Sequence, residues 1–249
     1  EMGFSDFAGS TLVHAAGASA ALAGALVLGP RLGKYKDDGT VTPMPGSNMP
    51  LATLGTFILW LGWFGFNGGS QLALGTIGDA ADVSRIFTNT NTAAAGGALA
   101  ALVLTQLMYK KIDLTMVLNG ALAGLVSITA EPLAPSIGGA TIIGAIGGAI
   151  VVFAVPLLDK LKIDDVVGAI SVHGIAGVWG TLAVAFSGGS LITQFIGTAS
   201  ICLFVFVLSL VIWYILDAAL GIRVSEEDEL NGLDTSELGM DAYPDFSKT

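Results

Sequence analysis

The sequence predicts an all-α protein that crosses a membrane about seven times. Three observations predict it. Of the 249 residues, 53% are hydrophobic and only 12% charged, about half the charged share of an ordinary soluble domain. Mean hydropathy is +0.76. The charges are also segregated, so that long apolar runs lack Lys and Arg altogether. Such runs of about 20 residues suit helices in lipid, where the backbone must satisfy its own hydrogen bonds. The 34 glycines fall largely within them, which favours close helix packing in lipid.

Apolar length and charge breaks predict spans at Phe7–Gly29, Leu51–Leu72, Phe87–Met108, Leu114–Ala130, Ile137–Leu158, Val166–Phe186 and Leu191–Leu216. The connections after the first, third and fifth spans carry Arg31, Lys34 and Lys36, then Lys110 and Lys111, then Lys160 and Lys162. Arg223 and Lys248 follow the last span, while Arg85 alone lies on the other side with Glu1, Asp6, Asp79, Asp82 and Glu131. The positive-inside rule therefore predicts an outer N-terminus, a cytoplasmic C-terminus and an odd number of spans. Residues 1–220 form the expected transmembrane channel domain and 221–249 a cytoplasmic tail. The tail is acidic and poor in apolar residues, which reads either as a solvated tail or, given the mix of Leu230, Leu233, Leu238 and Tyr243 with the turn residues Asn231-Gly232, as a segment that folds against a surface. The opening Glu1-Met2-Gly3 carries no basic segment of a signal peptide and points to processing or to a fragment.

Several chemistries find no support. The single cysteine, Cys202, provides no disulfide framework or thiolate metal site within the chain. There is no basic cluster for nucleic acid, and no nucleophile–base arrangement, phosphate loop or metal-ligand cluster suggests an enzyme.

Both histidines lie in apolar spans, and an ionisable residue there is a functional candidate by default. The alternative is a packing histidine hydrogen-bonded between helices. Their surroundings repeat: Asp6, Gly9, Val13 and His14 recur as Asp165, Gly168, Val172 and His173, D-x-x-G-x-x-x-V-H in each. The two spans run in opposite directions, as in transport proteins built from inverted repeats. The histidines are thus expected to meet near the middle as an outer and an inner imidazole. Two neutral imidazoles can share a proton and guide a small uncharged molecule. Asp6 and Asp165 each precede their helix, where a capping role is at least as expected as a transport role.

Specific segments then resemble the Amt/Mep/Rh ammonium transporter family: Asp6–His14, Gly62–Ser70, Asn89–Asn91, Gly168–Gly180 and the tail from Gly221. The resemblance runs from end to end of the chain. It implies the fifth to eleventh of eleven helices, with the first four absent here, in a fold of two inverted five-helix repeats and a closing helix. It implies ammonium or ammonia transport by a homotrimer, with a pore in each subunit and no cofactor. His14 and His173 would be the pore's twin histidines, Phe66 a gate phenylalanine and Trp63 a further lining ring. Ser70 would belong to an external ammonium site shaped by Asp6. The tail would lie where a PII-type signal protein docks. The second gate phenylalanine and a vestibule tryptophan would belong to the absent helices. Glu131, in Ala130–Ser136, and Leu238 depart from the family pattern. An ammonium sensor using the same site, and a subunit binding haem between the two histidines, are the alternative readings.

Overall fold

The computed structural model describes residues 2–244, so the expectations on Glu1 and Lys248 fall outside the described residues. Seven apolar helices follow one another: α1 (Ser10–Leu28), α2 (Met49–Gly69), α3 (Ile77–Tyr109), α4 (Leu114–Ile128), α5 (Ile137–Lys160), α6 (Ile170–Ser187) and α7 (Leu191–Leu220). Two short tail helices, α8 (Glu226–Asn231) and α9 (Leu233–Leu238), come after them. Six of the seven are long and apolar enough to cross a membrane, and α4, with 15 residues, is the short one. This is a multi-pass helical membrane architecture.

Local chemistry sets the helix ends, and it moves several from the positions expected. The third helix begins at Ile77, well before Phe87, because Thr76 and Asp79 form a reciprocal capping box there. The polar first turns of α3 lengthen the helix beyond its apolar run. Asn48, Ser136 and Ser190 accept from the first turns of α2, α5 and α7 in the same way. At the end of α4, the Thr129 and Ala130 carbonyls accept from Ala8 N at 3.0 Å and Phe7 N at 2.8 Å. The N-terminal segment thus satisfies groups that a longer α4 would have paired internally.

Helices α3, α4 and α5 form the densest part of the bundle. Glycine permits it: a Cβ on Gly144 would overlap the Ala93 carbonyl, and one on Gly97 would overlap that of Gly120. Lipid tails are as apolar as leucine, so such backbone contact gives helices dispersion attraction they would not gain from burial alone. The buried cluster of Trp63, Ala94, Ala123, Leu125, Val126, Val151, Val172 and Ala176 lies between this trio and the site helices. Within this chain α2 packs on one side only, leaving Leu51, Leu54, Phe57, Ile58, Leu59 and Leu61 exposed.

The connections after α1 and α5 meet at one end of the bundle. Arg31 makes a fork with Asp164, both bonds 2.8 Å, and its backbone N–H donates to the same carboxylate. Lys34 pairs with Asp159 at 3.2 Å. The tail joins them: Arg223 donates to the Leu28 and Pro30 carbonyls and pairs with Glu229, which accepts from Leu32 N. The surface against which the tail folds is therefore the end of α1 and the connection after it.

Candidate functional site

The two D-x-x-G-x-x-x-V-H segments fold alike. Gly9 has φ +111° and Gly168 φ +78°, backbone that glycine adopts without a Cβ penalty. Each opens a π-turn, over Ser10–Ala15 in α1 and Ile170–Ile175 in α6, before the regular helix begins. The wider turn leaves early N–H groups to be satisfied, and the aspartate five and six residues upstream does so. Asp6 Oδ2 accepts from Thr11 N at 2.9 Å and Leu12 N at 2.8 Å. Asp165 accepts from Ile170 N at 3.0 Å and from both Ser171 N and Oγ at 2.9 Å. Short π segments cluster at functional sites because they re-aim side chains. Here the same device, 159 positions apart, aims two histidines at one another.

His14 Nδ1 lies 3.2 Å from His173 Nδ1, with ring centroids 5.1 Å apart. Of two nitrogens at that distance only one can carry the shared proton, so the pair is one donor and one acceptor. The remaining Nε2 positions then carry complementary roles. His14 Nε2 is buried and finds no protein hydrogen-bond partner.

Two rings of α2 close one side of the pair. Trp63 stacks on His14 with centroids 4.9 Å apart and planes 19° apart, and Phe66 lies tilted at 5.4 Å. Trp63 is 5% exposed, while Phe66 is 37% exposed. The indole N–H donates to Thr129 Oγ1 at 2.9 Å, leaving the ring face for the imidazole.

Ser70 and Asp6 stand apart from this cluster. Ser70 caps α2 one turn beyond Phe66 and donates its hydroxyl to the Phe66 carbonyl at 2.8 Å, which keeps its lone pairs available. Asp6 spends Oδ2 on the π-turn, and its buried Oδ1 has no protein hydrogen-bond partner. The structure brings His14, His173, Trp63 and Phe66 together and gives Asp6 a capping contact.

Other groups that hold this arrangement have no separate signal in the sequence. Thr11, inside the first π-turn, bonds through its hydroxyl to Thr181 of α6 at 2.7 Å and Thr198 of α7 at 3.0 Å. Gln194 binds the Thr181 carbonyl and both backbone groups of Ser5. Polar residues inside apolar spans were the available clue.

A bundle of apolar helices whose matching, oppositely directed segments cross at a polar pair defines a membrane protein of the inverted-repeat transport class. The chain belongs to the ammonium transporter family, whose model matches residues 1–243. It is 43% identical to the ammonium transporter Amt2 of Archaeoglobus fulgidus over 263 residues, covering 97% of this chain and 55% of that protein. It is 40% identical to Amt1 of Haloferax mediterranei over 259 residues, covering 98% of this chain and 50% of that one. Among solved structures, a sensor Amt protein superposes with a TM-score of 0.90 at 39% identity, over 95% of this chain and 60% of its own. Mep2 of Candida albicans superposes at 0.78 and 29%, over 99% and 59%. The chain thus spans about half the length of the curated relatives it matches.

Proposed function

We propose that this chain supplies the twin-histidine half of an ammonium-conducting pore. The observation that carries the reading is the 3.2 Å Nδ1–Nδ1 contact of His14 and His173 where the two inverted π-turns cross. Ammonium is gathered at an outer mouth to which Ser70 Oγ contributes an acceptor and Asp6, its spare oxygen buried, a nearby negative charge. Aromatic faces add cation–π attraction of about 0.5–2 kcal/mol. Phe66 and Trp63 present an apolar wall beside His14, and an unpaired cation against it loses several kcal/mol of solvation. Release of a proton to water at the outer mouth removes most of that penalty. Ammonia then passes the imidazole pair, which offers it a donor or an acceptor at each step without holding a fixed charge.

The rest of the reading follows from the family and the charge pattern. The Arg31–Asp164 end is cytoplasmic, in a cell (inner) membrane, and the segment before α1 is outside. The subunit works as a homotrimer, and the tail anchored by Arg223 and Glu229 is where a PII-type protein engages.

The test is methylammonium uptake by cells or proteoliposomes carrying wild type, His14→Ala or His173→Ala, with membrane potential recorded. Loss of selective uptake, or conversion to an unselective cation leak, is expected. Unchanged flux and selectivity in both variants refutes the site. A second reading, an ammonium sensor, is favoured by the superposition on the sensor Amt protein. It predicts saturable ammonium binding by a protein whose reconstituted flux stays at the lipid background.

A further inference from the structure

Helix α2 carries both rings that face His14. Polar ties join it to α3 and to the end of α4. Trp63, Asn67 and Gln71 form a stripe at i, i+4 and i+8, the last just past the helix end, and each donates to a neighbouring element. Trp63 Nε1 reaches Thr129 Oγ1 after α4 at 2.9 Å. Asn67 Nδ2 reaches Thr90 Oγ1 of α3 at 3.0 Å. Gln71 Nε2 reaches Asp82 Oδ2, also of α3, at 3.2 Å.

Asn67 and Thr90 are both fully buried, and Asn67 Oδ1 finds no protein hydrogen-bond partner. A buried amide with an idle carbonyl is a poor choice for stability alone, since an apolar side chain would leave nothing unsatisfied. It is a good choice for register. Apolar helices in lipid can slide and rotate at small cost, whereas a directed hydrogen bond fixes both coordinates. Asn67 is the residue after Phe66 and lies one turn from Trp63, so its bond to α3 sets where both rings stand. The Gly68 position reinforces this, because α2 approaches the Phe87 ring so closely there that no Cβ fits.

We propose that Asn67 and Thr90, with Gln71–Asp82 above them and Trp63–Thr129 below, are positioning residues that fix the Trp63–Phe66 wall against His14. This rests on the reading of His14 as a pore residue for its consequence, but not for its geometry. Loss of the Asn67–Thr90 bond lets α2 rotate or slide, opening the stack on His14 while the α3–α4–α5 bundle stays intact.

The chain has only two histidines, so histidine-labelled protein gives two sets of ring signals, assigned with His14→Ala and His173→Ala. An indole face 4.9 Å from the imidazole shifts the His14 ring protons upfield, and Trp63→Leu measures that shift by removing it. Thr90→Val, which keeps the shape of threonine and removes the acceptor, is expected to lose most of the Trp63-dependent shift. Thr90→Ser is expected to retain it. An unchanged His14 shift in folded Thr90→Val protein, with or without a lower melting temperature, overturns the proposal. If Thr90→Val cannot be recovered folded, Gln71→Leu at the open end of the stripe is measured instead, with the same two outcomes. The pore reading fails separately: His14→Ala protein with wild-type uptake removes it and leaves the ring-shift result standing.

Discussion

Replacing Asp6 and Asp165 by asparagine separates two roles that a capping carboxylate can play. The aspartates cap equivalent π-turns, but they spend their oxygens differently. Asp165 uses both, Oδ1 for Ile170 N and Oδ2 for the Ser171 N–H and hydroxyl. Asp6 serves Thr11 N and Leu12 N with Oδ2 alone. An asparagine at position 6 can place its carbonyl oxygen where Oδ2 stands, keep both bonds and lose only their charge assistance, about 1 kcal/mol. At position 165 an amide must turn –NH2 towards one N–H donor set. That leaves a buried donor unpaired for about 1–3 kcal/mol beyond the loss of charge. Asp165→Asn should therefore be less stable than Asp6→Asn by about 1–3 kcal/mol, or roughly 2–12 °C in melting temperature for a chain of this size. The assay is thermal unfolding of both purified variants in one detergent, run beside methylammonium uptake. Asp6→Asn is expected to stay near wild-type stability and to lose uptake at low ammonium, because it has given up the charge on its spare oxygen. Equal destabilisation of the two, or a greater loss at position 6, would refute the assignment of these oxygens.

Three further outcomes follow from other parts of the molecule. Trp63→Phe keeps a ring on His14 but strands the Thr129 hydroxyl acceptor; uptake should weaken, and the loss should be smaller than for Trp63→Leu in the same flux assay. Arg223→Ala removes the donors to Leu28 O, Pro30 O and Glu229, so limited proteolysis should cut the tail faster while the melting temperature moves by no more than about 1 kcal/mol equivalent. Burial raises the Asp164 carboxyl, but the hydrogen bonds and charge of Arg31 outweigh it and hold it below its ordinary value of 3.8. A carboxylate depressed on folding stabilises above its unfolded value and stops doing so as pH falls through the folded one. Wild type should thus lose melting temperature more steeply than Asp164→Asn below about pH 4, and the two profiles should run parallel above about pH 5.

The number of helices and their approximate places were written in the sequence because lipid imposes a one-dimensional rule: enough consecutive apolar residues, and no charge among them. The D-x-x-G-x-x-x-V-H repeat was legible as well, since a symmetric fold leaves its symmetry in the order of residues. What composition could not show was where polarity extends or shortens a helix. The capping box at Thr76 starts α3 early, and the pairing of Thr129 and Ala130 with Phe7 and Ala8 goes with a short α4. Both depend on side chains or backbone that compete with the apolar count.

The site divides in the same way. His14, His173, Trp63 and Phe66 could be picked out because ionisable and aromatic residues in a transport family's motifs carry their chemistry in their identity. Their convergence could not, because it depends on two π-turns crossing, and a π-turn is one extra residue per turn that no hydrophobic period records. Thr11, Asn67 and Thr90 fell inside the family-like segments, but their contacts, like those of Thr181 and Thr198, were not legible, since a small polar residue in an apolar run reads the same whether it faces lipid, its own helix or a neighbour. The sequence alone determined that this is a membrane-spanning, inverted-repeat chain with a histidine in each half. Only the tertiary structure decided that the imidazoles share one proton position, which oxygens of Asp6 and Asp165 are occupied, and which side chains bond α2 to its neighbours, because each rests on a direction in space rather than a spacing along the chain.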